Sequence, residues 1–169
     1  TTVSLTFKIT APVFQKLSNF KEEYGFNELG LAVSGGSDSL AMLYICNDWA
    51  LKNEVKLHCI TVDHKLRSES AKEAKSVANH CNGLGINHEI VEWKHEGNIG
   101  GNLSDAARLA RYELIDKWRK ELSFVLVGHT QNDQIETFFM NLKRGSGLEG
   151  LKGMPLSFKR PEGYFILRP

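Results

Sequence analysis

The sequence predicts a doubly wound α/β domain with a mainly parallel, five-stranded sheet and helices on both faces. Three observations carry this. Residues Leu29–Leu43 read LGLAVSGGSDSLAML, a short apolar strand, a glycine-serine turn and the start of a buried helix. Short β-branched runs then alternate with longer segments of helical period, the pattern of successive βαβ units. At 169 residues, 41% hydrophobic and 24% charged, the chain has the size and composition of one globular domain with a single core.

The elements follow in order. Thr1–Thr10 alternates only weakly and is expected to fray. Pro12 at a first helical position, with Val13, Leu17 and Phe20 at helical spacing and Gly25 as the stop, predicts a helix from Pro12 to Tyr24. After the strand and helix around the glycine turn, Val55–Val62 is a second strand ending in Asp63 and His64. Ser70 with Glu73 reads as a capping box, and Ala74, Val77, Ala78 and Cys81 share one face of a crossover helix closed by Gly83 and Gly85. Asn87–Trp93 is a third strand, followed by the glycine-rich HEGNIGG. Leu103, Ala107, Ala110, Leu114 and Trp118 form one stripe of a helix over Asn102–Leu122. Phe124–Val127 is a fourth strand. Ile135, Phe138, Phe139 and Leu142 fall at i, i+3, i+4 and i+7, which predicts a further helix from near Asn132; Tyr164–Leu167 is the last strand. The expected sheet order is 3-2-1-4-5, with the switch point between the first and fourth strands.

The glycine turn carries the clearest chemistry. Gly35 and Gly36 let backbone approach a ligand, the N–H groups of the following helix start point outward, and Ser34, Ser37 and Ser39 add hydroxyls, so the turn suits a phosphate. Asp38 would repel that phosphate unless a divalent cation, Mg²⁺, lay between them. The turn has neither Walker nor Gly-x-Gly-x-x-Gly spacing. Asp63, His64 and Arg67 follow a strand at its carboxyl end, where they either line a ligand pocket or form an ordinary polar loop. Arg108 and Arg111 share a helix flank, there to meet phosphate or to pair with Asp105 and Glu113. Asp133 and Glu136, with His129 just before, either serve a metal or an incoming amine or complement a helix dipole.

Four segments in this order resemble a known family. SGGSDS resembles the pyrophosphate-binding loop of the ATP pyrophosphatases. VDHKLR, NLSDAARLARY and GHTQNDQIETFFMNLKRGSGLEGLKGM resemble the tRNA(Ile)-lysidine synthases. The resemblance implies a Rossmann-like fold of the adenine nucleotide alpha hydrolase kind. It implies ATP and Mg²⁺ as cofactors, with Ser34, Gly35, Gly36, Ser37, Asp38, Ser39, Asp63 and His64 at the nucleotide and Asp38 as the metal ligand. Asp38, His129, Asp133 and Glu136 are implied to be catalytic, and Arg108, Arg111 and Arg144 to meet tRNA or substrate. The implied reaction adenylates the C2 carbonyl of the wobble cytidine of an isoleucine tRNA with a CAU anticodon, after which free lysine displaces AMP. Asn132 stands where many relatives have Asp. Relatives continue past FILRP into tRNA-gripping domains, so residues 1–169 are expected to be the catalytic domain alone.

The rest of the composition sets bounds. No apolar run is long enough to span a bilayer and no secretory signal pattern is present, so a cytoplasmic location is expected. Cys46, Cys59 and Cys81 form no CxxC and read as buried small hydrophobes. This weighs against a tRNA thiolation enzyme of the same loop class, whose members use paired cysteines; a non-catalytic ATP-binding module leaves Asp38, Asp133 and Glu136 unexplained. From Met140 onward six basic residues stand against two acidic ones, which on charge alone reads as an ordinary solvated face and supplies too few phosphate contacts for residues 1–169 alone to hold tRNA tightly.

Overall fold

The computed structural model describes residues 2–95, 103–119, 122, 124–131, 134–141 and 164–167. At its centre lies β1 (Glu28–Ala32), buried at every residue after Glu28, as a strand covered on both faces must be. β1 pairs in parallel with β2 (Lys56–Asp63) on one side and β4 (Phe124–Gln131) on the other, and β3 (Asn87–Glu92) pairs in parallel outside β2. The parallel order β3-β2-β1-β4 reverses between β1 and β4, where the sequence places the switch point.

Helices α1 (Thr2–Tyr24), α2 (Ser37–Lys52) and α3 (Ser70–Leu84) cover one face, and α4 (Leu103–Arg119) covers the other. Alternation along β1 assigns each residue to a face. Leu29, Leu31 and Val33 join the larger core with Leu17, Leu43, Trp49 and Val77, whereas Ala32 joins Ile60, Tyr112, Ile115, Val125 and Val127 beneath α4. Trp49 is fully buried and its indole N–H donates to Ser18 Oγ at 2.9 Å, tying α2 to α1. Gly30 faces α4 so closely that a Cβ there would meet Val125 Cγ2 at 3.0 Å and the Trp118 ring at 3.2 Å.

Several sequence expectations are corrected. The first helix does not begin at Pro12; Pro12 lies inside α1, because its fixed φ is helical and the chain can continue through it with one hydrogen bond lost. The helix expected from near Asn132 is a strand, β5 (Gln134–Asn141), antiparallel to β4, and β6 (Tyr164–Leu167) is antiparallel to β5. The sheet therefore has four parallel strands extended by two antiparallel ones, not the five strands expected. Over eight residues the apolar spacing fits either period, and Ile135, Thr137, Phe138 and Phe139 are strand-favouring residues that gain a partner in β4. Ser70 does not cap α3, whose N-cap is Glu69; its hydroxyl turns to Asp63.

Two glycines should respond oppositely to substitution. Gly83 sits within α3 with nothing within 4 Å of an added Cβ, so Gly83→Ala should stabilise by about 0.5–1 kcal/mol. Gly30→Val must displace Trp118 or Val125 and should cost about 1–3 kcal/mol. Urea denaturation of both variants measures the two signs.

Candidate functional site

The parallel strands end together at one edge, and the loops that leave them build a pocket of about 360 Å³. Its floor is Ala32, Thr61 and Val127 from three adjacent strands, and its walls include Ser34, Gly36, His64, Arg67, Ser70, Glu73 and Arg111. Open α/β sheets bind ligands in such a crevice at the switch point.

The glycine turn forms one wall. Gly36 is the N-cap of α2 and has no side chain to cap it, so the amides of Ser37, Asp38 and Ser39 precede the first intrahelical bond, from Leu40 N–H to the Gly36 carbonyl. These groups, with the positive end of the helix dipole, suit an anion. The buried Ser39 hydroxyl accepts from Ser34 N–H at 2.9 Å and so closes the turn. Gly35 has φ +92°, and a Cβ there would fall 2.9 Å from Glu73 Cβ and 3.0 Å from the Glu73 carbonyl oxygen. The turn is thus seated against the first turn of α3, which only glycine permits.

The opposite wall is a polar network from the end of β2. Asp63 is buried; its Oδ1 accepts from Lys65 N–H at 2.9 Å and from the Ser70 hydroxyl at 2.6 Å. Burial pushes the Asp63 carboxyl up, but the Ser70 and Lys65 hydrogen bonds and the Lys65 charge outweigh it and hold it below the usual carboxylate range. His64 Nε2 receives Arg111 Nη2 at 2.9 Å and Nε at 3.2 Å. A guanidinium can only donate, so Nε2 is the acceptor and the imidazole is neutral with its proton on Nδ1. Burial, then the Arg111 charge, pushes His64 down to about 4, against the opposing pull of Asp63. The buried Nδ1 has no partner among the described residues. Trp93 stands edge-to-face on His64 at 6.2 Å between ring centroids, and Arg67 pairs with Glu73 at 3.1 Å across the rim.

The expected site residues are spread over several elements. Ser34, Gly36, His64 and Arg111 line the pocket; Gly35, Ser37, Ser39 and Asp63 brace or border it; Asp38 occupies the first turn of α2. Arg108 lies on α4, one helical turn before Arg111. His129 and Glu136 are register partners on β4 and β5, and His129 follows Val127, the partner of Ala32, toward the pocket edge. Asp133 and Arg144 lie outside the described residues. Ser70 and Glu73 were not expected in the pocket, because their spacing mimics a capping box; nothing in the sequence points to Glu73 as the seat of Gly35.

A family model described as a PP-loop domain matches residues 9–169. The chain is 42% identical over 146 residues to a tRNA(Ile)-lysidine synthase of Wolbachia pipientis wMel, covering 84% of this chain and 33% of that protein. It is 45% identical over 144 residues to the one of Ruegeria pomeroyi, covering 83% and 34%. The chain thus spans about a third of the length of these relatives. Among solved structures, the U34-tRNA thiolase NcsA from Methanococcus maripaludis with its [4Fe-4S] cluster matches with a TM-score of 0.55 at 20% identity, over 61% of this chain and 38% of that one, a likeness of fold.

The depressed His64 makes stability depend on acid. Between about pH 6.5 and 4 the unfolded chain binds a proton at this position that the folded chain does not, so stability falls as pH drops through that window, by at most about 1.4 kcal/mol per pH unit for one such group. His88, also held down by burial, adds in the same direction, and Asp63 adds its share below the ordinary carboxylate range. Chemical denaturation at pH 7 and pH 5 should show the loss, and His64→Gln should reduce its slope. Gly35→Ala should cost on the order of 1–3 kcal/mol at both pH values, from the left-handed φ and the contact with Glu73.

Proposed function

This chain belongs to the PP-loop domain family, and on that premise we propose that it is the ATP-adenylating catalytic domain of a tRNA(Ile)-lysidine synthase. The observation that carries the reading is the uncapped α2 N-terminus behind Gly35 and Gly36, facing a crevice-sized pocket with Arg67 and Arg111 on its walls. Lysidine synthases from several bacteria are similar over more than four fifths of the chain, which supports this substrate over others of the same loop class.

In this reading Ser34–Ser39 hold the pyrophosphate of ATP through backbone N–H groups, and the neutral His64 and the end of β2 face the adenosine. The Asp38 carboxylate is the hard oxygen donor suited to Mg²⁺, which when bound offsets charge on the leaving pyrophosphate. The C2 carbonyl oxygen of the wobble cytidine attacks the α-phosphorus, pyrophosphate leaves, and the lysine amine then displaces AMP. Fixed donors aimed at developing phosphate charge are the main source of rate in such a site. His129, Asp133 and Glu136 orient the nucleotide and the amine. Arg108, Arg111 and Arg144 meet the phosphates of substrate or of an isoleucine tRNA bearing CAU.

The thiolation alternative has less support. Cys46, Cys59 and Cys81 are all buried and none lines the pocket, whereas sulfur delivery needs a thiol within reach of the activated base.

Product analysis with the full-length protein, ATP, Mg²⁺, lysine and the tRNA tests the reading; residues 1–169 alone should bind ATP but modify the tRNA poorly. AMP and pyrophosphate should form, the adenylation step should proceed without lysine, and Asp38→Ala should slow it on the order of 10²-fold or more. ADP as product, or a requirement for a sulfur donor, would overturn it.

A further inference from the structure

Away from the pocket wall, on the α2–α3 side of the sheet, three potential metal ligands converge. Cys59 and His88 are register partners on β2 and β3, and α3 brings Cys81 to them. One donor atom from each lies within 4.8 Å of the other two. The thiols are buried, at 1% and 0% exposure, while His88 is half-buried. His88 Nε2 lies 2.8 Å from Thr61 Oγ1. With Nε2–H donating to that hydroxyl, the Nδ1 lone pair is the one left for a cation. A hydrogen bond to the second ring nitrogen is how metal-ligating histidines are oriented.

We propose that Cys59, Cys81 and His88 form a binding site for a thiophilic divalent cation, Zn²⁺ foremost, that ties β2, β3 and α3 together behind the pocket. Two sulfurs and one imidazole favour such an ion over Mg²⁺ or Ca²⁺. Loading forms two metal–sulfur bonds and one metal–nitrogen bond, and the two thiol protons leave to solvent with no change of oxidation state. Water or an added small ligand takes the fourth tetrahedral position. The protonation states fit this exchange. The Cys59 thiol is held up by its hydrogen bond to Cys81 and by burial, the same hydrogen bond lowers Cys81 toward the thiolate, and burial pushes His88 toward the neutral form that ligates. Thr61 is shared, since it both lines the pocket floor and orients His88. The site stands independently of the adenylation chemistry proposed above.

Cobalt titration of the whole chain, reduced and chelator-stripped, tests the proposal. One equivalent of Co²⁺ should give thiolate-to-cobalt charge-transfer and tetrahedral d–d bands. Zn²⁺ should bleach them and raise the melting temperature. Cys81→Ser and His88→Gln should each weaken Co²⁺ binding at least about 10-fold, Thr61→Val about 10-fold with the bands retained, and Cys46→Ala not at all. Absence of a charge-transfer band, or bands of equal affinity in Cys81→Ser and His88→Gln, would overturn the site. Should Cys81→Ser not fold, the half-buried His88→Gln and the metal-to-chain ratio of the unaltered protein decide alone.

Discussion

The structure depends on the reversal of strand order at β1. From β1 the chain moves outward through α2, β2, α3 and β3 on one face, then returns beneath the sheet through α4 to pair β4 with the free side of β1. The connections that follow β1 and β4 diverge to opposite sides of the switch point, so a crevice remains above the carboxyl ends of these two strands. The register makes this concrete. Ala32 pairs with both Ile60 and Val127, and these strands deliver Ser34, His64 and His129 toward one edge from positions far apart in sequence.

What stiffens that edge is a set of polar contacts, each satisfied by a neighbouring loop. Ser39 closes the glycine turn, Ser70 and the Lys65 amide hold Asp63, and Arg111 fixes His64 as a neutral acceptor. The turn and the β2 loop share a common support in the first turn of α3, where Glu73 abuts Gly35 and pairs with Arg67. A phosphate entering between the α2 amides and the arginines would compete with Glu73 for Arg67.

The misread elements share a physical cause. Ser70 and Glu73 have the spacing of a capping box, yet a buried carboxylate two strand residues past Thr61 demands a donor more strongly than an exposed helix end does, and Ser70 answers that demand. The segment 134–141 has too few residues for its apolar period to separate helix from strand, and β4 supplies a ladder of hydrogen bonds that propensity cannot anticipate. Pro12 marks a first helical turn only when nothing upstream continues the helix; here α1 begins ten residues before it.

Local signals determined the succession of strands and helices from β1 to β4, though not the start of α1 or the cap of α3. An apolar strand, two glycines and a helix start occur within fifteen residues, so the strand-turn-helix unit is written in contiguous sequence, and the alternation of strand and helix periods suffices for the parallel order. Contacts between distant residues were decided only by the tertiary structure. No spacing rule links His64 to Arg111, Gly35 to Glu73, or Cys59 to Cys81 and His88, because each pair spans a crossover whose packing sets the distance. The three cysteines illustrate the difference: their apolar surroundings foretold burial, but only the pairing of β2 with β3 under α3 places two of them beside an imidazole.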